Sequence, residues 1–126
     1  AERPPEGSPM KVLVFDDNLM WAPRLRQTLA GLGHEPIMLS HVPESLPEGP
    51  VAIVNLSSSR MEIESLIHSL KAQGRYVIGH AGHKETTLRE MGRVAGCDQI
   101  LSNSQTTFSL EQALDLVVLP DSDSSG

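Results

Sequence analysis

The stretch Lys11-Val12-Leu13-Val14-Phe15-Asp16-Asp17 decides how the chain is read. Four apolar residues in a row, two of them β-branched, describe a short strand buried on both faces, and two carboxylates close it. Such a run belongs in the centre of a parallel sheet. Burying adjacent carboxylates is costly, so the acidic pair should lie where the strand leaves the core and meets water, a cation or a phosphate.

At 126 residues the chain has the length of one domain with a real core. A net charge of −6, with no basic run or basic patch interleaved with aromatics, argues against nucleic-acid binding. The lone Cys97 can form no internal disulfide. No signal peptide or long apolar segment is read, so the expected location is the cytoplasm and no membrane partner is expected. CxxC and HExxH motifs are missing, which leaves structural zinc without support, and no cofactor is expected.

Outward from the first strand, residues 1–9 hold three prolines, a glycine and no apolar period, the pattern of a disordered lead. Ala22, Leu25, Leu29 and Leu32 recur at helical spacing, with Pro23 in a first turn and Gly33 past the end, so a helix is expected over Trp21–Leu32. His34–Ser40 reads as a short strand that Pro36 confines to a sheet edge. Three prolines and a glycine over 41–50 leave room for one turn at most, around Glu44–Leu46. Val51–Leu56 is a second buried-type strand, polar at Asn55. Ser59 and Glu62 have the spacing of a capping box, ahead of a helical stripe Ile63, Leu66, Ile67, Leu70 that stops before Gly74. Tyr76-Val77-Ile78, within 75–81, gives a fourth strand. Leu88, Met91 and Ala95 mark a helix over Lys84–Ala95, ended by Gly96. Gln99-Ile100-Leu101 is a brief fifth strand. Ser109 and Gln112 suggest a second capping box, Phe108 and Ala113 a hydrophobic staple, and the last helix should run to about Leu119 before Pro120. The folded domain is thus expected over 10–119, with a disordered polar tail over 120–126.

Strands alternating with helices imply a five-stranded parallel sheet with right-handed crossovers and helices on both faces. The size fits a flavodoxin-like domain of strand order 2-1-3-4-5, with the second helix reduced or absent. In such a sheet the site lies outside the carboxyl ends of strands one and three, where Asp16, Asp17, Asn55 and His80 all map.

Over Met10–Leu119 the chain resembles the receiver domain of two-component response regulators. The resemblance rests on the acidic pair in Phe15-Asp16-Asp17-Asn18, on Gly33 before strand two, and on Val94-Ala95-Gly96-Cys97-Asp98-Gln99-Ile100-Leu101 running into strand five. It implies an acidic pair that holds Mg²⁺, a phosphoacceptor Asp ending strand three, a Thr or Ser ending strand four, and a Lys after strand five. Here the acidic pair alone survives. The phosphoacceptor position matches Asn55, whose amide has no anionic oxygen to attack a phosphoryl group. The Thr/Ser position matches His80, the Lys position Asn103, and the aromatic switch position in strand five Ile100. The pattern is that of a degenerate, or pseudo-, receiver.

Other residues carry two readings each. Asp16 and Asp17 can offer weak Mg²⁺ binding, but hard cations need several oxygen ligands, so a residual surface acidic pair is expected and no metal is assigned. His80 and His83 suggest a metal or pH site but, without a third ligand, read as polar loop residues. Cys97 reads as a small buried filler, and Trp21 as either packing over the first helix turn or an anchor for a partner. Ser57, Ser58 and Ser59 read as helix caps.

The expected function is therefore a non-catalytic, phosphorylation-independent signalling module that binds a protein partner. The helix over 84–95 offers Arg89 and Arg93, and the last helix Glu111 and Asp115, faces of opposite charge suited to a partner or to a homodimer. The alternative is a small-molecule or cofactor-binding flavodoxin-like domain. A stretch such as Leu32-Gly33-His34-Glu35-Pro36-Ile37-Met38-Leu39 has a superficial parallel in the cobalamin-binding fold, but no Asp-x-His-x-x-Gly motif follows strand one. An enzyme finds no support, because no nucleophile–base pair or Gly-rich phosphate loop is present.

Overall fold

The computed structural model describes residues 9–117. Residues 1–8 of the lead expected over 1–9, the end of the last helix at Leu119 and the tail over 120–126 lie outside the described residues. Five strands, β1 (Lys11–Phe15), β2 (Glu35–Leu39), β3 (Val51–Asn55), β4 (Tyr76–Ala81) and β5 (Gln99–Ser102), form a parallel sheet in the order β2-β1-β3-β4-β5. The helices are α1 (Trp21–Gly31), α2 (Ile63–Ala72), α3 (Thr86–Ala95), the short α4 (Gln105–Phe108) and α5 (Leu110–Asp115).

Alternation along each strand divides the core in two. Leu13, Phe15, Ala52, Val54 and Val77 meet Ile63, Leu66, Ile67 and Leu70 of α2 and Ala95 of α3 on one face. Val12, Val14, Val51, Ile53, Ile78 and Leu101 meet Leu25 and Leu29 of α1 and Leu110, Ala113 and Leu114 of α5 on the other. Burying both faces is why these strands read as unbroken apolar runs.

Between β2 and β3 the chain forms no helix, within the limit of one turn at most around Glu44–Leu46. Leu46 instead packs beside Ile37 and Leu39 on the α2 side of the sheet. The Arg75 guanidinium fastens this segment by donating to the carbonyl oxygens of Pro47 (2.7 Å) and Gly49 (3.1 Å). Edge strand β2 tolerates Pro36, which sits opposite Val12 with no amide hydrogen to give.

The capping expectations fail. Ser59 and Glu62 form no box, because the chain turns through 56–61, buries Met61, and enters α2 only at Ile63, with no side-chain cap. Ser109 and Gln112 likewise form none: Ser109 ends α4 through its N–H to the Gln105 carbonyl (2.8 Å) before α5 begins. The short α4 leaves Phe108 81% exposed, so it cannot staple onto the buried Ala113.

Helix α3 lies close to the sheet where it carries Gly92. A side-chain carbon there would approach the Leu56 Cδ1 to 2.8 Å, and Leu56 is itself buried. Gly96 then ends the helix at φ 119°, a conformation that disfavours residues with a Cβ. Gly92→Leu is expected to lower stability in urea denaturation by about 1–3 kcal/mol through overpacking. Val94→Leu, at a position that is 69% exposed, should leave the midpoint unchanged. Equal midpoints for the two variants would show that α3 does not lie against Leu56.

Candidate functional site

The same alternation that fills the core sets the site. Val12 and Val14 are followed on their face by Asp16, Val51 and Ile53 by Asn55, Ile78 by His80, and Leu101 by Asn103. Parallel register then brings Asp16, Asn55 and His80 to one level, since Phe15 faces Val54 and Asn55 faces His80, while Asn103 stands two residues beyond Leu101, which faces His80. Four strands thus each deliver one polar group to the carboxyl end of the sheet.

These groups form one hydrogen-bonded chain. The Asp16 Oδ1 accepts from the Asn55 amide Nδ2 (2.9 Å) and from the Asn18 backbone N–H (2.9 Å). The Asp16 Oδ2 faces His80 Nε2 at 3.2 Å, and His80 Nδ1 lies 2.8 Å from Asn103 Oδ1. Asn55 Oδ1 turns the other way and accepts from the Ser57 N–H (3.0 Å) and hydroxyl (2.7 Å). Burial by itself would raise the Asp16 carboxyl. Hydrogen bonds from His80, Asn55 and the Asn18 N–H, with the charge of His80, outweigh it and hold the group below its ordinary value.

Three expectations are corrected here. Asp16 is not part of a surface acidic pair, being 4% exposed, although its neighbour Asp17 is half-buried at the rim. His80 is no loop histidine: it stands in β4 with 0% exposure, while His83 lies in the exposed turn beyond. Ser57 does not cap α2 but holds Asn55. Ile100, at the switch position, packs against the α2 and α3 side of the core. Cys97 is partly buried, and burial, with Asp98 beside it, pushes its thiol up to about 12, which suits a filler.

Asn18 was not singled out by its sequence. Besides its N–H to Asp16, its side-chain oxygen accepts from the N–H groups of Met20 (2.8 Å) and Trp21 (3.0 Å) at the start of α1. The signal was there in an Asn just before an apolar helical period. Trp21 is half-buried, with the Arg24 guanidinium 5.3 Å from its ring centroid. Leu19 at 92% exposure and Met20 stand free at the rim, beside a cleft of about 410 Å³ lined by Asp16, Asp17, Arg26, Met38 and Ser40.

On the helices, Arg93 is ion-paired with Glu90 on the α3 surface. Arg89 is half-buried, and Glu111 and Asp115 are exposed on α5. Among the described residues no helix is long and apolar enough to cross a membrane.

No family model and no curated protein matches the chain. Solved structures do match it. The chemotaxis response regulator CheY4 of Vibrio cholerae is similar at 17% identity and a TM-score of 0.69, over 85% of this chain and 99% of that one. The fold is that of response-regulator receiver domains. The receiver domain of a Francisella response regulator matches 85% of this chain and 94% of its own at 18% identity and a TM-score of 0.67. A response regulator from Burkholderia pseudomallei, solved with a phosphorylated aspartic acid, a calcium ion and citrate, matches 84% of this chain and 66% of its own at 20% identity and a TM-score of 0.71. A receiver whose site residues have been exchanged is compatible with these likenesses.

The Mg²⁺ that the receiver resemblance implies does not fit this donor set. A hard cation asks for about six oxygen ligands. Both Asp16 oxygens are already turned to protein donors, and the Asn55 oxygen is turned to Ser57. Among the described residues no three of His, Cys, Asp and Glu gather as a metal-holding group.

Asp16→Ala is expected to cost about 1–3 kcal/mol in urea denaturation, because it strands buried donors on Asn55 and His80. The parent should also lose stability on acidification. A carboxyl whose folded value is depressed contributes stability above its unfolded value, near pH 4, and loses it as the pH falls through the folded one. The variant's stability should fall less over that window. Equal acid dependence in the two would show that Asp16 is not held below its ordinary value.

Proposed function

We propose that this receiver-fold domain is a non-catalytic signalling module that works without phosphorylation and acts in the cytoplasm through contact with another protein. The observation that carries the reading is Asn55. It stands at the end of β3, where the receiver resemblance puts the phosphoacceptor, and both ends of its amide are bound, one to Asp16 and the other to Ser57. An amide so placed neither attacks phosphorus nor is free to turn. His80 and Asn103 at the other two phosphate-handling positions are bound to each other.

A domain with no phosphoryl input is read through its surface. Exposed apolar side chains support a protein partner: Leu19 and Met20 before α1, Val94 on α3, Phe108 on α4 and Leu116 after α5. Charge supports the pairing of α3 with α5, with Arg89 and Arg93 on one and Glu111 and Asp115 on the other. A two-fold homodimer would bring such faces together.

Acetyl phosphate or a cognate kinase should leave the chain unmodified, as judged by intact mass. Asn55→Asp alone should accept little, because His80 and Asn103 remain. A base-labile adduct of phosphate mass on the parent chain would reject the reading. In sedimentation experiments, reversing charge at Arg89 and Arg93 together should weaken self-association, more at low salt than at high. Undiminished association of that double variant at low salt would move the surface away from α3.

A further inference from the structure

We infer that His80 is the resident partner of Asp16 in place of a divalent metal, so that the strand ends are joined by protein groups and the pocket takes up neither Mg²⁺ nor Ca²⁺. The inference deepens the proposed function and rests on it for the reading of this pocket as a receiver's site: a side chain carried by β4 stands at Asp16 where the receiver resemblance implies an ion.

The geometry supports each step. His80 Nε2 and Asp16 Oδ2 are 3.2 Å apart, and both side chains have 0% exposure. A nitrogen facing a carboxylate at that distance must carry the hydrogen. The hydrogen on Nδ1 follows the orientation of the Asn103 amide, whose oxygen and nitrogen exchange by a flip, but either orientation leaves Nε2 as the donor to Asp16. Asn103 therefore fixes the ring, and its own N–H is held by the Ala81 carbonyl (3.0 Å). Asn55 offers Asp16 hydrogens where a cation would need oxygen. To enter, an ion would have to strip its own water, displace the imidazole from a closed space and leave it without an acceptor. Asp17 at the half-buried rim remains as a single carboxylate, too little for a hard cation.

The test is calorimetric titration of the full chain with MgCl₂ and CaCl₂, for the parent, His80→Thr and His80→Ala, with folding checked by circular dichroism. The parent should give no saturable binding at low-millimolar ion. His80→Thr should bind about tenfold to a hundredfold more tightly, the competition exerted by one charge-assisted hydrogen bond, and adding Asp16→Asn should remove the gain. Both His80 variants binding no better than the parent would overturn the role given to His80. If neither folds, the parent still decides. Under Mg²⁺ the nitrogen NMR signals of His80 Nε2 and the Asn55 amide should stay fixed, and saturable movement of either overturns the inference. Metal binding by the parent that Asp16→Asn abolishes would also overturn it, whether or not the chain accepts a phosphoryl group. Phosphoryl transfer to a parent that binds no metal would reject the proposed function alone and support this inference.

Discussion

A carboxylate that ends the central strand of a doubly covered sheet has to find donors, and the site follows from how Asp16 finds them. Taking an ionised carboxyl out of water without partners costs several kcal/mol, far more than most single contacts return. Here three donors converge from the loop after β1, from β3 and from β4. The chain of bonds then continues to Asn103 beyond β5. Each partner lies at the carboxyl end of its own strand, so satisfying one buried charge also aligns the ends of β1, β3 and β4.

The far side of the sheet is built on different terms. With no helix between β2 and β3, the partly buried Ile37 and Leu39 share the α2 side of the core with Leu46 from an irregular segment. Irregular backbone must send its carbonyls somewhere, and two of them go to Arg75. Lys71 and Asp98 make a comparable clasp nearby: Asp98 accepts from Lys71 Nζ (2.7 Å) and from the Val77 N–H (2.8 Å), tying α2 to the starts of β4 and β5. A groove of about 690 Å³ remains between the 41–46 segment and α2. The irregular segment thus shapes one edge of the sheet and takes no part in the Asp16 cluster.

How much of this could be read from the sequence divides along a physical line. Runs such as Val12–Phe15 and Val51–Val54, and the stripe Ile63, Leu66, Ile67, Leu70, state their burial in their own periodicity; the alternation of elements implies the parallel sheet, and the fit to a flavodoxin-like domain its strand order. That Asp16, Asn55, His80 and Asn103 share one end of the sheet was legible too. Their bonds were not, because hydrogen-bond partners depend on cross-strand distances that no local pattern encodes. A motif such as Asp-Asp-Asn reads as a solvated loop until His80 is known to be adjacent. The capping boxes at Ser59 and Ser109 misled for the opposite reason. The local pattern was present, but α2 starts past Ser59 after the buried Met61, while Ser109 does stand at the start of α5 yet makes no side-chain cap, its N–H being bound to the last turn of the unexpected α4.

The proposed function places a constraint on how the surface is used. A two-state switch moves only when something binds its two states unequally, and the shift is bounded by that difference in affinity. In a phosphorylated receiver the difference comes from a group that arrives and leaves. At this pocket the partners of Asp16 are all side chains or backbone of the same chain, and none of them can diffuse away. Under the proposed function, a change of state is then driven from outside, by a protein whose contacts favour one arrangement of α3, β5 and the α4–α5 turn. Phe108 on α4 follows Asn103 by five residues in the chain, and Asn103 holds the ring that holds Asp16. A partner seated on Phe108 would therefore act on a segment that ends in the buried cluster, reversing the direction in which a receiver ordinarily passes its signal.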